Sequence, residues 1–167
     1  MLNQLAQYVL ENGLNDASLR PMAAALGTSD RMLLYHFKTK DALIVELLNH
    51  IAQIMSAGLD QVLPPERFPN EDTLIQQLVT IMRTPQFQPF TRLWFDMLSS
   101  ASGGQVAHRE TGHAILEHFL EWMSLRHPDG GAGAARALTL VEGVLIMDAM
   151  GQSAIGDRAI GLAATEQ

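Results

Sequence analysis

Eight side chains in one short stretch carry the chemistry of a nucleic-acid groove: Thr28, Ser29, Arg31, Met32, Tyr35, His36, Lys38 and Lys40. A helix lying in the major groove must offer donors, acceptors and apolar contacts to base edges. Arg31 can bond a guanine edge or a phosphate. Thr28 and Ser29 stand where the N–H groups of a helix N-terminus also favour phosphate. Tyr35 and His36 each offer an aromatic surface with one hydrogen-bonding tip. Lys38 and Lys40 follow directly, at a second helix start, as phosphate anchors. At about 100° per residue, Arg31, Met32 and Tyr35 share the side of Thr28, while Leu33 and Phe37 point roughly opposite. The competing reading is a common Gly-Thr-Ser turn followed by a half-buried aromatic edge.

A second group of residues suits a small molecule. The segment FQPFTRLWFDM (87–97) clusters Phe87, Phe90, Trp94 and Phe95, and Phe119 and Trp122 follow on a later helix. Methionine occurs nine times. Aromatics and adaptable methionines can line a pocket for an apolar or aromatic ligand. The candidate contacts are Phe90, Trp94, Phe95, Met97, His113, Phe119, Trp122 and Met147. Arg92, Asp96, His113 and Asp148 lie beside these apolar stripes and could orient a ligand. At helical spacing, such residues more often form ordinary core.

No enzyme is expected. Gly151-Gln152-Ser153-Ala154-Ile155 lacks the last glycine of a nucleophile elbow, and there is no phosphate loop, dinucleotide fingerprint or His-Glu-x-x-His. His108, His113 and His118 are five apart, which spreads them around a helix, and His113 with Glu117 alone does not make a metal site. No metal and no cofactor are expected. The chain has no cysteine, so disulfides, thiolate sites and cysteine nucleophiles are excluded.

The elements that must position these residues read as helices throughout. Strand alternation and hairpin turns are absent. Leu2, Leu5, Ala6, Val9 and Leu10 keep helical spacing, with Gly13 as a left-handed cap. Ser18 is the expected N-cap of a second helix bearing Leu19, Met22, Ala23 and Leu26 on one face, with Pro21 in its first turn. Gly27 breaks the pattern, Thr28 or Ser29 caps a third helix reaching Phe37, and Thr39 caps a longer fourth. Pro64 to Asp72 reads as a loop. Further helices are expected at about Thr73–Arg83, Pro89–Ser99, Val106–His127 and Ala134–Gln152. The last is apolar nearly all round and must be covered on more than one side. With Val106–His127 it could form half of a four-helix dimer interface.

The helix-turn-helix residues resemble the signature of the TetR family of bacterial transcriptional regulators. The match runs through Gly27-Thr28-Ser29, Leu33, Tyr35-His36-Phe37-Lys38, Lys40 and Asp41-Ala42-Leu43, with Gly13, Ser18-Leu19-Arg20 and Met22-Ala23 upstream. It covers about the first 50 residues; the other 117 are similar only in being helical. The resemblance implies an all-α homodimer: a three-helix head (residues 1–45) followed by an antiparallel helical ligand-sensing and dimerisation body (46–167). Such a dimer binds a palindromic double-stranded DNA operator, usually as a repressor released by a small-molecule inducer. By the same resemblance Thr28, Ser29, Arg31, Met32, Tyr35 and His36 fall where the family reads DNA, and Lys40 on its phosphate-contacting lysine. Leu34 departs from the pattern, replacing a phosphate-contacting tyrosine. Asp30 stands where lysine or glutamine is common, and a helix-capping role is expected for it. The sequence begins almost at its first helix, so a basic arm is expected to be missing and non-specific affinity to be weak.

The net charge of −7 agrees with a local, oriented DNA contact and not with a protein that coats nucleic acid. Residues 1–50 carry four bases and five acids, which leaves −6 on the rest. No long uncharged apolar run suggests a membrane span, and no secretory signal is visible, so a cytoplasmic protein is expected. The alternative function is a helical protein-interaction module that binds no DNA.

Overall fold

The computed structural model describes residues 1–14 and 17–162, and every regular element among them is a helix. In chain order these are α1 (Leu2–Asn12), α2 (Leu19–Ala25), α3 (Asp30–Phe37), α4 (Lys40–Val62), α5 (Glu71–Met82), α6 (Gln88–Ser102), α7 (Val106–Arg126), α8 (Gly131–Ala149) and α9 (Ser153–Ala159). The all-α expectation is met. The chain forms two compact units: Met1–Ala57 with Gln88–Leu116, and Gly58–Phe87 with Glu117–Gln167. Residue 45, the boundary expected from sequence, lies inside α4 and within the first unit.

In the first unit, the apolar spacing of α1 buries Leu5, Ala6 and Val9. Met22 and Ala23 of α2, Leu33 and Phe37 of α3, Leu43 and Leu47 of α4, and Leu93 and Met97 of α6 are also buried. Each such large side chain contributes roughly 1.5–3 kcal/mol by leaving water. Ser18 takes the N-cap position of α2 but makes no side-chain capping bond. α4 has the length and mean hydropathy of a membrane span. Its Leu43, Leu47 and Leu59 are nevertheless buried within the protein, as in any core helix.

In the second unit, α5 buries Leu74, Ile75, Leu78, Val79 and Met82, and packs on α8. α8 buries Ala134, Ala137, Val141, Val144 and Leu145. α5 starts two residues before its expected Thr73, because Asn70 caps it: its Oδ1 accepts from the Thr73 N–H at 2.8 Å. That draws Glu71 and Asp72 out of the loop and into the first turn, where their charge suits the helix N-terminus. α8 ends at Ala149, short of the expected Gln152, and a separate α9 follows. α9 packs against α8 through Gly156, where a Cβ would come 2.9 Å from Val144 Cγ1. Only a glycine allows that approach.

Two arginines lock this unit. Arg83 donates to both carboxylate oxygens of Asp148 at 2.8 Å and lies 2.8 Å from Asp157, joining the ends of α5, α8 and α9. The hydrogen bonds to Asp148 hold its guanidinium above its already high ordinary pKa; burial opposes this and Asp157 adds to it. Arg126, nearly fully buried, donates to Asp60 at 2.6 Å and stacks 3.9 Å from the centre of the Trp122 ring. Trp122 Nε1–H donates to the same Asp60 oxygen at 2.8 Å.

Candidate nucleic-acid interface

The turn between α2 and α3 is made by Gly27. Its φ of 64° places it in the left-handed region, at little cost for a residue with no Cβ. Its N–H donates to Ala24 O at 3.0 Å and that of Thr28 to Ala23 O at 2.9 Å, so two orphan carbonyls of α2 are satisfied across the turn. Ser29 then caps α3: its Oγ accepts from the Met32 N–H at 3.4 Å. Asp30 is therefore not the cap. It occupies the first turn, where a carboxylate complements the positive helix end.

α3 divides as its spacing requires. Leu33 and Phe37 are buried. Thr28, Ser29, Asp30, Arg31, Met32, Leu34, Tyr35 and His36 are all exposed. Tyr35 is 69% exposed and Met32 44%, large values for such side chains. The Arg31 side chain makes no hydrogen bond or ion pair with any described residue, so its full donor fork faces outward. Lys38 ends α3, and Lys40 opens α4 beside Thr39, whose Oγ1 caps that helix by accepting from Ala42 N–H at 3.0 Å. Both lysines are exposed. All eight residues singled out for DNA thus lie on one short surface segment, with two helix N-termini in it.

The residues singled out for a ligand fall in both units. Phe90, Trp94, Phe95, Met97 and His113 belong to the first unit, while Phe119, Trp122 and Met147 belong to the second. Phe90, Trp94, Phe95, Phe119 and Met147 are half-buried, Met97 and Trp122 are buried, and His113 is exposed. Three of the polar residues beside them, Arg92, Asp96 and Asp148, hold the fold together. Arg92 donates to the carbonyls of Leu10 and Glu11, and Asp96 accepts from the Leu14 N–H at 3.1 Å. Between them lies Gly13, whose φ of 85° is positive as expected, although its ψ of 170° takes the chain outside a left-handed cap. One turn of α6 thereby grips the C-terminal end of α1 with a cation on its carbonyls and an anion on the next N–H. Asp148 is likewise held by Arg83. Sequence reasoning missed this grip and the Asp60–Trp122–Arg126 cluster, because each joins residues far apart in the chain.

A recess of about 190 Å³ in the first unit is lined by Leu14, Ala17, Lys40, Asp41, Ile44, Ser100, Gln105, Ala107 and His108. None of the eight ligand candidates lines it. His108 Nδ1 lies 2.6 Å from Ser100 Oγ at its wall. Among the described residues no group of three or more His, Cys, Asp or Glu side chains could hold a metal.

No family model matches the sequence, and no curated protein matches it. Two solved structures do. A chain from Rhodococcus sp., assigned to the TetR family of transcriptional regulators, superposes with a TM-score of 0.68 at 17% identity. The match covers 95% of this chain and 91% of that one. A chain from Saccharomonospora viridis, assigned as a transcriptional regulator and solved in complex with choline, gives a TM-score of 0.65 at 16% identity. There the cover is 96% of this chain and 91% of that one. The chain therefore has the fold of TetR-like regulators along nearly its whole length. The resemblance read from the first 50 residues is borne out at the level of the fold.

Proposed function

We propose that this chain is a ligand-responsive transcriptional regulator, a repressor that binds a palindromic operator as a homodimer. The observation that carries the reading is the outward face of α3: Thr28, Ser29, Arg31, Met32, Tyr35 and His36 exposed on a helix anchored by Leu33 and Phe37. A protein-interaction module has no need of that set beside Lys38 and Lys40. Residues 1–45 act as the DNA-binding domain and 46–167 as the sensing and dimerisation domain, in the cytoplasm. Dimerisation runs through α7 and α8. Exposed apolar side chains on these helices and at the end of α8 support it: Leu125 at 63%, Ile146 at 40% and the C-cap residue Met150 at 72%.

The inducer is a small molecule bound against α6, where Phe90, Trp94 and Phe95 are half-buried. An apolar or aromatic ligand fits these rings. The choline in the Saccharomonospora viridis neighbour favours a second ligand class, a quaternary ammonium ion held over aromatic faces. Trp122 is left out of the contact set, because Arg126 already covers its ring and Asp60 takes its N–H.

The test is selection from a pool of randomised duplexes. The expected product is one motif with two-fold symmetry, bound by a species of twice the 18.3 kDa chain mass in sedimentation. Recovery of no preferred sequence would leave the interaction-module alternative.

A further inference from the structure

We infer that Lys38 is a positioning residue for Tyr35 and not a phosphate anchor; the inference rests on reading α3 as a recognition helix. Lys38 has φ 68° and ψ −51°, and among the described residues it is the one non-glycine with a positive φ. Across it, the Thr39 N–H donates to Phe37 O at 2.8 Å. That closes a three-residue turn of the rare positive-φ kind, which is strained for an L residue. The surroundings must over-determine such a conformation for it to persist.

Lys38 itself supplies the contacts that do so. Its main-chain N–H donates to Leu34 O at 2.9 Å. Its Nζ turns back and donates to Tyr35 O at 3.2 Å. The carbonyls that end a helix otherwise lack partners. Here those of Leu34 and Tyr35 are both satisfied by Lys38, one through its backbone and one through its side chain.

The fold-back has a consequence for the recognition face. It sets the ammonium 5.6 Å from the centre of the Tyr35 ring, within cation–π reach. The His36 ring meets Tyr35 edge-on at 5.5 Å and 80°. Tyr35 is 69% exposed, so core packing does not fix its ring. Lys38 and His36 do. Tyr35 is thereby presented to a groove as a pre-set aromatic plane, and the charge of Lys38 is directed at its own helix end.

Three proteins test this: the wild type, Lys38→Gly and Lys38→Arg. Glycine accepts a positive φ, so the turn survives loss of the side chain. The first readout is the nuclear Overhauser contact between the Tyr35 and His36 rings in the free protein. It is expected in the wild type and in Lys38→Arg, and severalfold weaker in Lys38→Gly. Equal contacts in Lys38→Gly overturn the inference. The second readout is affinity for selected and singly altered duplexes over a range of salt. Lys38→Gly is expected to lose about tenfold of its base preference at one position per half-site, with its salt slope unchanged and Lys38→Arg restoring the preference. A slope reduced by about 0.9 for each bound chain, with base preference intact, makes Lys38 a phosphate anchor and overturns the inference. If the wild type selects no sequence, the recognition-helix reading falls and takes the inference with it, whatever the ring contacts show.

Discussion

Arginines in the two regions of the molecule are used in opposite ways. On α3, Arg31 is exposed and makes no hydrogen bond or ion pair with any described residue. In the second unit, Arg83 bridges two aspartates, and Arg126 is buried between Asp60 and the Trp122 ring. The difference teaches which polar groups serve the fold and which are left for another molecule. A buried guanidinium needs partners inside the chain, since its desolvation is costly without them. An exposed one on a rigid helix costs the fold little and keeps its donors for a phosphate or a base edge.

The contrast can be broken by substitutions that separate stability from binding. Leu33→Ala removes the fully buried anchor of α3 and should destabilise by about 3 kcal/mol, within the range for buried leucines. Chemical denaturation measures it, and a loss under 1 kcal/mol would mean that α3 is not seated as described. Arg126→Ala should cost about 2 kcal/mol, less than a fully buried pair, because Asp60 is half exposed. A calorimetric melt reads this, and DNA affinity at low temperature should not change. Ser29→Ala has the smallest effect, about 1 kcal/mol for a lost N-cap, seen as fraying of α3 in amide exchange. Equal exchange in the variant would assign the capping elsewhere.

Much of the head was legible because its determinants are local. Gly27, Ser29 and Thr39 act on atoms within a few residues of themselves, so the turn and both caps can be read from spacing. The alternation of Leu33 and Phe37 with exposed neighbours follows from helical period alone. At Asp30 a carboxylate suits both the cap and the first turn of α3, and only the backbone path decides that Ser29 caps while Asp30 faces the helix N-terminus from the first turn. The rest depends on long-range contacts. Arg92 and Asp96, four apart on α6, read as groups that could orient a ligand, yet both reach the end of α1 some 80 residues earlier. α9 carries Gly156 at its centre, which argues against a helix until Val144 is placed beside it.

The central claim is that the outward face of α3, with the start of α4, reads DNA. Gel-shift titration of Tyr35→Ala and Lys40→Ala on a duplex selected by the wild type, with circular dichroism alongside, tests it most directly. A specific contact is worth about 1–3 kcal/mol and a dimer carries each twice, so Tyr35→Ala should lose more than about thirtyfold in affinity. Lys40→Ala should lose affinity for all sequences alike and flatten the salt dependence, with helicity unchanged in both variants. Undiminished affinity in both variants would contradict the account.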